Sequence, residues 1–382
     1  MAKHPKLQIL VAFCSMQGAK KGFDPGFGIE VAWDIPLLDG YPWIHVPNRS
    51  PRPGLERFFG LINVGLWDLI RKGDFDAVVA YTGYAYASFW IAAIATKHRG
   101  SAFLFGTDAV TLRPRTGKGW KAWFKVRLKK LLLPFIFRLA DVVIVPSSGA
   151  RRFVRRLGIS EDRVVLTPFV VNNEWWEQQS QQVDPVSVRA SWGIPSNATV
   201  VLFCGKLQPW KRPYDLLQAF AQANVPETYL VFAGEGPLRT FLEKEAQRLE
   251  IADQVRFLGF VNQSQLPGVY RASDLLVLPS EHEPFGLVVN EAMLCGCPVV
   301  VSDQVGARYD LVEEGKTGFV YPCGDVKALS TILREILPNK KRLQKMGEAA
   351  RKRMENWSPR EHVEAFVRAV ERALLLKSSR RR

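Results

Sequence analysis

The feature that most constrains the fold is a regular alternation of short apolar runs with longer segments of helical pattern in the second half of the chain. The apolar runs fall at residues 200–204, 229–233, 255–258, 275–278 and 299–302. Strands separated by helices of about ten or more residues pair in parallel, because a parallel pairing needs a long crossover connection. The first half repeats this rhythm less regularly. We therefore predict an α/β protein with two Rossmann-like domains, each a doubly wound parallel sheet.

The length of 382 residues suits two domains, each large enough for its own core. We assign residues 1–173 to the first domain and residues 199–357 to the second. Residues 174–198 between them are rich in Gln, Ser, Asn and Pro, which is a composition typical of linkers. Residues 358–382 are predicted to form a last helix that ends in a basic tail.

The chain carries a formal net charge of +15. A surplus of this size indicates an anionic partner, which is a nucleotide phosphate, an acidic lipid head group or a nucleic acid. Nucleic acid has the least support of the three, because no recognised binding motif or aromatic platform accompanies the charge. We predict no nucleic-acid partner.

Residues 118–138 interleave lysines and arginines with Trp120, Trp123, Phe124 and a run of leucines. A basic amphipathic helix of this kind suits a membrane surface that carries anionic lipids. A core-facing helix with a basic outer face explains the same pattern equally well. The two interpretations differ in whether the protein binds anionic vesicles in a salt-sensitive way.

No apolar run is long enough to cross a bilayer, and the longest candidate, residues 131–137, is interrupted by Pro134. We interpret residues 7–13 as a first buried strand rather than a signal peptide, because no small-residue cleavage site follows them. The five cysteines form no metal-binding pattern and are expected to be reduced. We expect a cytoplasmic protein, which is peripheral at the inner face of the membrane if the basic helix binds lipid.

An acidic stretch at residues 280–297 directly follows the apolar run at 275–278 and leads into a helix predicted to begin near Gly286. Ligands of open α/β sheets bind at the carboxyl ends of the strands. A helix that begins there offers free N–H groups to a phosphate. The N–H groups of Gly286 and Leu287 are therefore candidate phosphate ligands.

Two carboxylates, Glu283 and Glu291, stand eight residues apart in this stretch. In a helix they would be separated by roughly 12 Å along the axis, at about 1.5 Å per residue. An acid and base that flank one glycosidic bond need about 5 to 9.5 Å. The larger spacing suits the two hydroxyl-bearing ends of a nucleotide sugar. The simpler alternative is a surface charge at Glu291 and a first-turn charge, favoured by the helix dipole, at Glu283.

The order of residues in this stretch resembles the donor-site signature of retaining glycosyltransferase family 4. The resemblance lies in Glu283 and Glu291 with seven residues between them, Phe285 and Gly286 inside that interval, and the later Ala292, Gly296 and Pro298. It implies the GT-B fold, in which two Rossmann-like domains face one cleft and the last helix crosses back to the first domain. It also implies that Glu283 contacts the donor sugar and that Glu291 holds the ribose hydroxyls. Phe285, Gly286 and Leu287 complete the implied donor site.

A second part of the same family pattern follows the first strand of this half, from Gly205 to Lys211. The family usually shows Gly-Arg-Leu and then a Lys before the next helix, so Lys206 stands where Arg is common and Lys211 matches. Two cations that face a diphosphate supply the charge that a metal would otherwise provide. At about 4 Å each pair gains on the order of 4 kcal/mol at an effective dielectric near 20. The alternative is a pair of surface lysines after a strand.

Three residues of the first half are candidates for contact with the acceptor. Asp108 follows the predicted strand at 102–105, at a position that faces the cleft in the resembled family. Asp24, in a glycine-rich loop, and Tyr84, in a strand-to-helix turn, are weaker candidates. A turn or cap residue is the alternative for each.

Asp74 and Asp76 form a D-x-D pattern, which in the other large glycosyltransferase fold binds a divalent metal. Here the pair stands just before the predicted strand at 77–80, where acidic residues commonly mark a loop. We expect neither a metal nor another cofactor.

The resulting hypothesis is a hexosyltransferase that moves a sugar from a nucleotide diphosphate sugar to a hydroxyl acceptor, such as a lipid-linked or polysaccharide-precursor glycan, with retention. No nucleophile on the opposite face is identifiable, so we expect a same-face displacement in which the leaving phosphate oxygen takes the acceptor proton. One alternative is a sugar-nucleotide epimerase on the same fold. Another is a non-catalytic carbohydrate-binding or partner-binding module, whose mark would be loss of the lysines or of Glu283.

Overall fold

The computed structural model describes residues 1–55, 57–112 and 120–381, with the backbone alone at 121, 122, 125, 380 and 381. Within these residues the strands are β1 (Val11–Phe13), β2 (Gly22–Asp24), β3 (Ile29–Val31), β4 (Trp43–His45), β5 (Ala77–Ala80), β6 (Ala102–Gly106), β7 (Val142–Val145), β8 (Val164–Leu166), β9 (Thr199–Cys204), β10 (Thr228–Ala233), β11 (Val255–Gly259), β12 (Leu275–Leu278), β13 (Val299–Ser302) and β14 (Gly318–Tyr321). The helices are α1 (Gly65–Lys72), α2 (Ala87–Arg99), α3 (Trp120–Arg138), α4 (Ser148–Arg156), α5 (Asn173–Gln181), α6 (Pro185–Ser191), α7 (Pro213–Ala223), α8 (Arg239–Arg248), α9 (Leu266–Arg271), α10 (Leu287–Leu294), α11 (Val326–Ile336), α12 (Lys340–Met354) and α13 (Pro359–Arg381).

Two compact units share these elements. The first unit consists of Met1–Lys20, Pro36–Pro168 and Arg360–Arg382, and the second consists of Lys21–Ile35 and Phe169–Pro359. Each unit has a parallel sheet flanked by helices. The predicted α/β class with two Rossmann-like sheets is therefore confirmed.

The second unit is built on a six-stranded parallel sheet in the order β11-β10-β9-β12-β13-β14. Every residue of β9, β12 and β13 is buried, which explains why these strands are continuous apolar runs rather than alternating ones. The chain winds outward from β9 to β11 on one side and from β12 to β14 on the other. The direction of winding thus reverses between β9 and β12, and ligands bind beside such a switch point.

The first unit has a four-stranded parallel sheet in the order β5-β6-β7-β8, while β1 and β4 form a separate parallel pair. One face of this sheet packs against helices α2, α3 and α4 through an apolar cluster that contains Phe89, Phe105 and Phe137. The other face packs against α13 through Phe366 and other small and apolar residues of that helix. The last helix therefore belongs to the first unit. Strand β1 covers only Val11–Phe13, so the strand expected over residues 7–13 begins later than predicted.

The structure corrects the interpretation of residues 174–198 as a linker, because most of them form the helices α5 and α6 of the second unit. Trp176 is only 2% exposed, and its ring lies 5.8 Å from that of Tyr270 on α9. Most of the Gln, Ser and Asn residues that suggested a linker are at exposed positions. Asn172 caps α5, and Asp184 accepts hydrogen bonds from the first backbone N–H groups of α6.

The glycine-rich segment after β1 also departs from the prediction, because residues Lys21–Ile35 belong to the second unit rather than to a first domain of residues 1–173. Strands β2 and β3 form an antiparallel hairpin within this segment, which we call the strap. At the other end of the chain, α13 continues to Arg381, so the predicted basic tail is helical as far as the structure describes it. Arg382 lies outside the described residues.

The described part of the chain contains no helix that is long and apolar enough to span a membrane. All five cysteines are free thiols.

The packing of Trp176 gives a test of the corrected domain boundary. We expect Trp176→Ala to lower the free energy of unfolding of the second unit by about 3 to 5 kcal/mol, because it leaves a cavity beside Tyr270. Trp175→Ala, which changes a more exposed neighbour on the same helix, is the matched control and should cost much less. Denaturant unfolding followed by tryptophan fluorescence measures both. Equal, small losses would mean that α5 behaves as a linker.

Candidate functional site

The switch point brings together the two loops that carry the predicted donor-site residues. Strands β9 and β12 are direct neighbours, with Leu276 opposite Leu202, so the loops that follow them leave the same edge of the sheet. The N–H of Glu281 donates a hydrogen bond to the carbonyl oxygen of Trp210 at 2.8 Å, which joins the two loops. The sheet topology therefore places Lys206 and Lys211 in the loop beside Glu283.

Lys211 and Glu283 form an ion pair between these loops. Their side chains are only 20% and 13% exposed, so water screens the pair less than it would at the surface. The hydroxyl of Ser280 lies 3.4 Å from the same carboxylate oxygen of Glu283. The pair is thus a half-buried cation and anion held at the carboxyl ends of β9 and β12.

The turn from Glu283 into α10 depends on two glycines. Gly286, directly before the helix, has a φ of 100°, a conformation that favours glycine. Gly306 donates its N–H to the carbonyl oxygen of Glu283 at 2.9 Å, and a Cβ added to Gly306 would lie 1.8 Å from the carbonyl oxygen of Pro284. This close approach fixes the turn, and α10 begins at Leu287, one residue after the predicted start.

Glu291 is 7% exposed, which contradicts the alternative that it is a helix-surface charge. The hydroxyl of Tyr270 donates a hydrogen bond to its carboxylate at 2.7 Å. Burial raises the pKa of Glu291 to about 7, although hydrogen bonds with Tyr270 and Gln263 act in the opposite direction. The carboxylate is an acceptor in a site with little water.

Lys206 follows Gly205 at the end of β9, and its ammonium is bound by Asp24 of the strap. The nitrogen lies 2.7 and 2.9 Å from the two carboxylate oxygens of Asp24. Burial raises the pKa of Asp24, but hydrogen bonds from Lys206, Phe27 and Gly26 outweigh this effect and hold the pKa below its ordinary value. Asp24 thus lies in the same unit as the donor-site residues, which differs from its expected grouping with Asp108 and Tyr84.

Phe285 is 3% exposed and packs beside two aromatic rings of the same unit. Its centroid lies 5.6 Å from that of Phe169 and 6.2 Å from that of Trp357. The side chain therefore holds the start of α10 against the apolar surroundings of that helix.

The two remaining acceptor candidates lie in the first unit. Asp108 is exposed and follows β6, and Tyr84 is half-buried and follows β5. Strands β5 and β6 are parallel neighbours, with Ala80 opposite Phe105, so both residues lie beyond the same sheet edge. The structure thus keeps Asp108 and Tyr84 on one edge of the first unit.

The D-x-D pattern has a structural partner, because Asp74 forms a 2.9 Å ion pair with Arg99 at the end of α2. Among the residues that the structure describes, no group of three or more His, Cys, Asp or Glu side chains is placed to hold a metal ion.

Two contacts of the site were missed by sequence analysis. The pairing of Asp24 with Lys206 joins residues 182 positions apart, and no periodic pattern records such a contact. Tyr270 belongs to α9, and no motif in the sequence marks it. Its closeness to Glu291 becomes visible only when α9 and α10 are packed together.

The raised pKa of Glu291 predicts how stability depends on pH. The folded state binds one more proton than the unfolded chain between about pH 4.5 and pH 7, so the free energy of unfolding falls as the pH rises through this window. The fall is at most about 3.5 kcal/mol, at about 1.4 kcal/mol per pKa unit. Glu291→Gln should remove it. Urea unfolding at about pH 5 and about pH 8 measures the change, and parallel pH profiles of the variant and the unsubstituted protein would contradict this account.

Two family models match the chain, one in each half. "Glycosyl transferase 4-like domain" matches residues 26–169, and "Glycosyl transferases group 1" matches residues 187–353.

Curated relatives match part of the chain. D-inositol 3-phosphate glycosyltransferase 2 of Catenulispora acidiphila is 40% identical over 178 residues, which are 44% of this chain and 42% of the relative. Sulfoquinovosyl transferase SQD2 of Arabidopsis thaliana is 30% identical over 230 residues, which are 59% of this chain and 43% of the relative. The matches to these two relatives span less than half of each relative's length.

Solved structures match both halves. A glycosyltransferase from Rickettsia africae has a TM-score of 0.70 at 19% identity, over 87% of this chain and 85% of that one. Anabaena HepE in complex with UDP has a TM-score of 0.66 at 21% identity, over 86% and 85%. At these identities the likeness shows the fold, which is GT-B. With this fold and the two family models, the chain belongs to glycosyltransferase family 4.

Proposed function

We propose that this protein is a retaining glycosyltransferase that moves a sugar from a nucleoside diphosphate sugar to a hydroxyl acceptor. The observation that carries the proposal is the pairing of Lys211 with Glu283 beside the N-terminus of α10, at the switch point of the second unit. A cation, a carboxylate and a helix N-terminus suit a diphosphate with a sugar attached. The names of the relatives agree with this class of reaction.

The charge on the leaving group is the first thing such a site must stabilise. As the bond between the anomeric carbon and the phosphate oxygen breaks, negative charge builds up on the diphosphate. Lys206 and Lys211 supply positive charge, and the N–H groups of Gly286 and Leu287 supply oriented donors. Fixed donors in a site with little water stabilise such charge without reorganisation. In this proposal the two lysines act without a metal ion.

The two carboxylates have separate roles in the proposal. Glu283 contacts the hydroxyls of the donor sugar, and its pairing with Lys211 keeps it oriented. Glu291 accepts hydrogen bonds from the ribose hydroxyls in its buried site. The attacking acceptor oxygen bonds to the anomeric carbon on the face that the phosphate leaves, and its proton passes to the departing phosphate oxygen. The configuration at the anomeric carbon is retained.

Uridine diphosphate is the first nucleotide to test, because HepE was solved with UDP and with UDP-glucose. For the acceptor we propose a hydroxyl compound at an anionic membrane, such as a lipid-linked or polysaccharide-precursor glycan. Asp108 and Tyr84 are the candidates to contact it.

The support for a membrane partner comes from the exposed face of α3. Five apolar side chains at helical spacing form one stripe on this helix, and all are exposed: Trp120, Phe124, Leu128, Leu131 and Phe135. The buried residues Leu133 and Phe137 face the core instead. Arg127 and Lys130 are also exposed, and the Arg127 guanidinium lies 4.7 Å from the Trp123 ring. Apolar and basic groups together on one helix suit an anionic lipid surface. Lys118, at the start of the predicted basic segment, lies outside the described residues.

The catalytic assignment is tested by Lys211→Ala and Glu283→Ala. A panel of nucleotide sugars is first screened by thermal stabilisation, and turnover is then measured with the donor that stabilises most. We expect each variant to lose at least about a hundredfold in kcat, because each removes a group aimed at the leaving group or the sugar. Lys327→Ala, at an exposed position of α11, is the control. Turnover close to that of the unsubstituted protein in both site variants would end the assignment.

Analysis of the products separates transfer from the epimerase alternative. NMR of the reaction without added acceptor should show unchanged or slowly hydrolysed donor, whereas an epimerase would form a second nucleotide sugar. A non-catalytic binding module would bind the donor and show neither product.

The membrane partner is tested by adding charge to the stripe on α3. We expect the double variant Phe124→Glu, Leu131→Glu to bind vesicles that contain anionic lipid at least about tenfold more weakly, since it removes apolar area and adds negative charge. Phe241→Glu, at an exposed apolar position of α8, is the matched control and should bind normally. Co-sedimentation at low and high salt measures the binding. Equal sedimentation with neutral and anionic vesicles would rule out this partner.

A further inference from the structure

The strap, residues 21–35, contacts the rest of the second unit at several points between Asp24 and Asp34. Near its end, Asn262 donates a hydrogen bond to the carbonyl oxygen of Ala32 at 2.8 Å, and the N–H of Ser264 donates to Asp34 at 3.1 Å. The rings of Phe27, near the middle, and Trp33, near the end, lie 5.0 and 5.8 Å from that of Phe260. These contacts hold the strap over the loop that follows β11.

The turn of the strap lies against Lys206. Gln208 donates a hydrogen bond to the carbonyl oxygen of Gly26 at 2.6 Å, and the Lys206 ammonium lies 4.7 Å from the centre of the Phe27 ring. The fit is close, because a Cβ added to Gly26 would lie 2.6 Å from Cδ of Lys206. Lys206 is thus enclosed by backbone, an aromatic ring and the carboxylate of Asp24.

Both lysines of the candidate donor site are therefore already paired with carboxylates. Lys211 is bound by Glu283, which the proposed function uses for the donor sugar. Lys206 is bound by Asp24, for which the proposed function has no role. The side chains of Lys206 and Asp24 are 35% and 29% exposed. A ligand can therefore reach Lys206 and compete with Asp24 for it, while partial burial keeps the ion pair in one geometry.

A nucleoside diphosphate carries more negative charge than one carboxylate and offers several acceptor oxygens to one ammonium. It can therefore displace Asp24 from Lys206. The measured affinity for the nucleotide is then lowered by the free energy needed to break the ion pair between Lys206 and Asp24. When the competent form of a site is only partly populated, the apparent Kd rises in proportion. The contacts at Phe260, Asn262 and Ser264 do not involve Asp24, so the strap stays in place when Asp24 releases the lysine.

We propose that Asp24 is an internal competitor of the donor diphosphate: it holds Lys206 in the absence of nucleotide and gives it up when a nucleoside diphosphate binds. This inference rests on the proposed function, because it assigns Lys206 to the diphosphate. Asp24 is a positioning residue, acting on substrate only through Lys206. Its carboxylate keeps the lysine side chain in the site and raises the apparent Kd of the nucleotide.

The experiment measures the Kd of UDP and of uridine by isothermal titration calorimetry. We expect Asp24→Asn to bind UDP about threefold to tenfold more tightly than the unsubstituted protein, since an ion pair of this exposure contributes modestly. The affinity for uridine, which has no phosphate, should change by less than about twofold. Asp34→Asn makes the same change of charge at the other end of the strap, where the carboxylate is bound by Ser264. It is the matched control and should leave the Kd of UDP unchanged within about twofold.

A double-mutant cycle connects the effect to Lys206. In the Lys206→Met background, Asp24→Asn should no longer tighten UDP binding. The cycle also gives a clear result if Asp24→Asn lowers the thermal midpoint of the protein. A general loss of stability would change UDP binding equally with Lys206 and with Lys206→Met, whereas release of Lys206 changes it only when the lysine is present.

The outcomes separate this inference from the proposed function. If the unsubstituted protein binds none of the nucleoside diphosphates tested, the proposed function fails. If it binds UDP, and Asp24→Asn leaves the Kd unchanged or raises it, Asp24 is not a competitor and this inference alone is overturned. Equal tightening in Asp24→Asn and Asp34→Asn also overturns it, since the effect would then come from net charge or from a looser strap.

Discussion

The reversal of winding between β9 and β12 is the constraint on which the rest of the candidate site depends. At such a point the connections that follow two neighbouring parallel strands run to opposite faces of the sheet, which leaves a crevice at the edge where both loops begin. The loop after β9 carries the lysines, and the loop after β12 carries Glu283 and leads into α10. Burial at this edge strengthens the electrostatic interactions of the lysines and of Glu283, because the neighbouring loops exclude much of the water that would otherwise screen them.

The sheet of the second unit could be predicted from the sequence because its strands are covered on both faces. A strand with this burial must be apolar at every position, and a run such as that of β12 is recognisable without knowledge of its neighbours. The helices α5 and α6 could not be recognised in the same way. Both are short, and their exposed faces are mostly polar. The buried residue of α5, Trp176, packs against Tyr270, which lies far along the chain. Composition alone therefore predicted a linker where the chain forms packed helices.

In the site, too, some residues could be predicted from the neighbouring sequence, whereas others depend on contacts between distant parts of the chain. Glu283, Lys206 and Lys211 could be placed because each closely follows a strand, and the ends of parallel strands share an edge. The burial of Glu291 depends on how α9 and α10 pack, and the partner of Lys206 depends on where the strap lies. Asp24 illustrates the difference: its position in a glycine-rich turn was visible in the sequence, but the ion pair that gives it a role was not.

The strap has a consequence for how the chain is made. Asp34 and Asn262, which hold one end of it, are 228 residues apart, so the ribosome releases the strap long before the loop that receives it. At about 5 to 20 residues per second, this interval is roughly 10 to 45 s. During that time Phe27 and Trp33 have no Phe260 to pack against. The second unit is therefore completed only late in translation, by an early segment that has stayed available in the nascent chain.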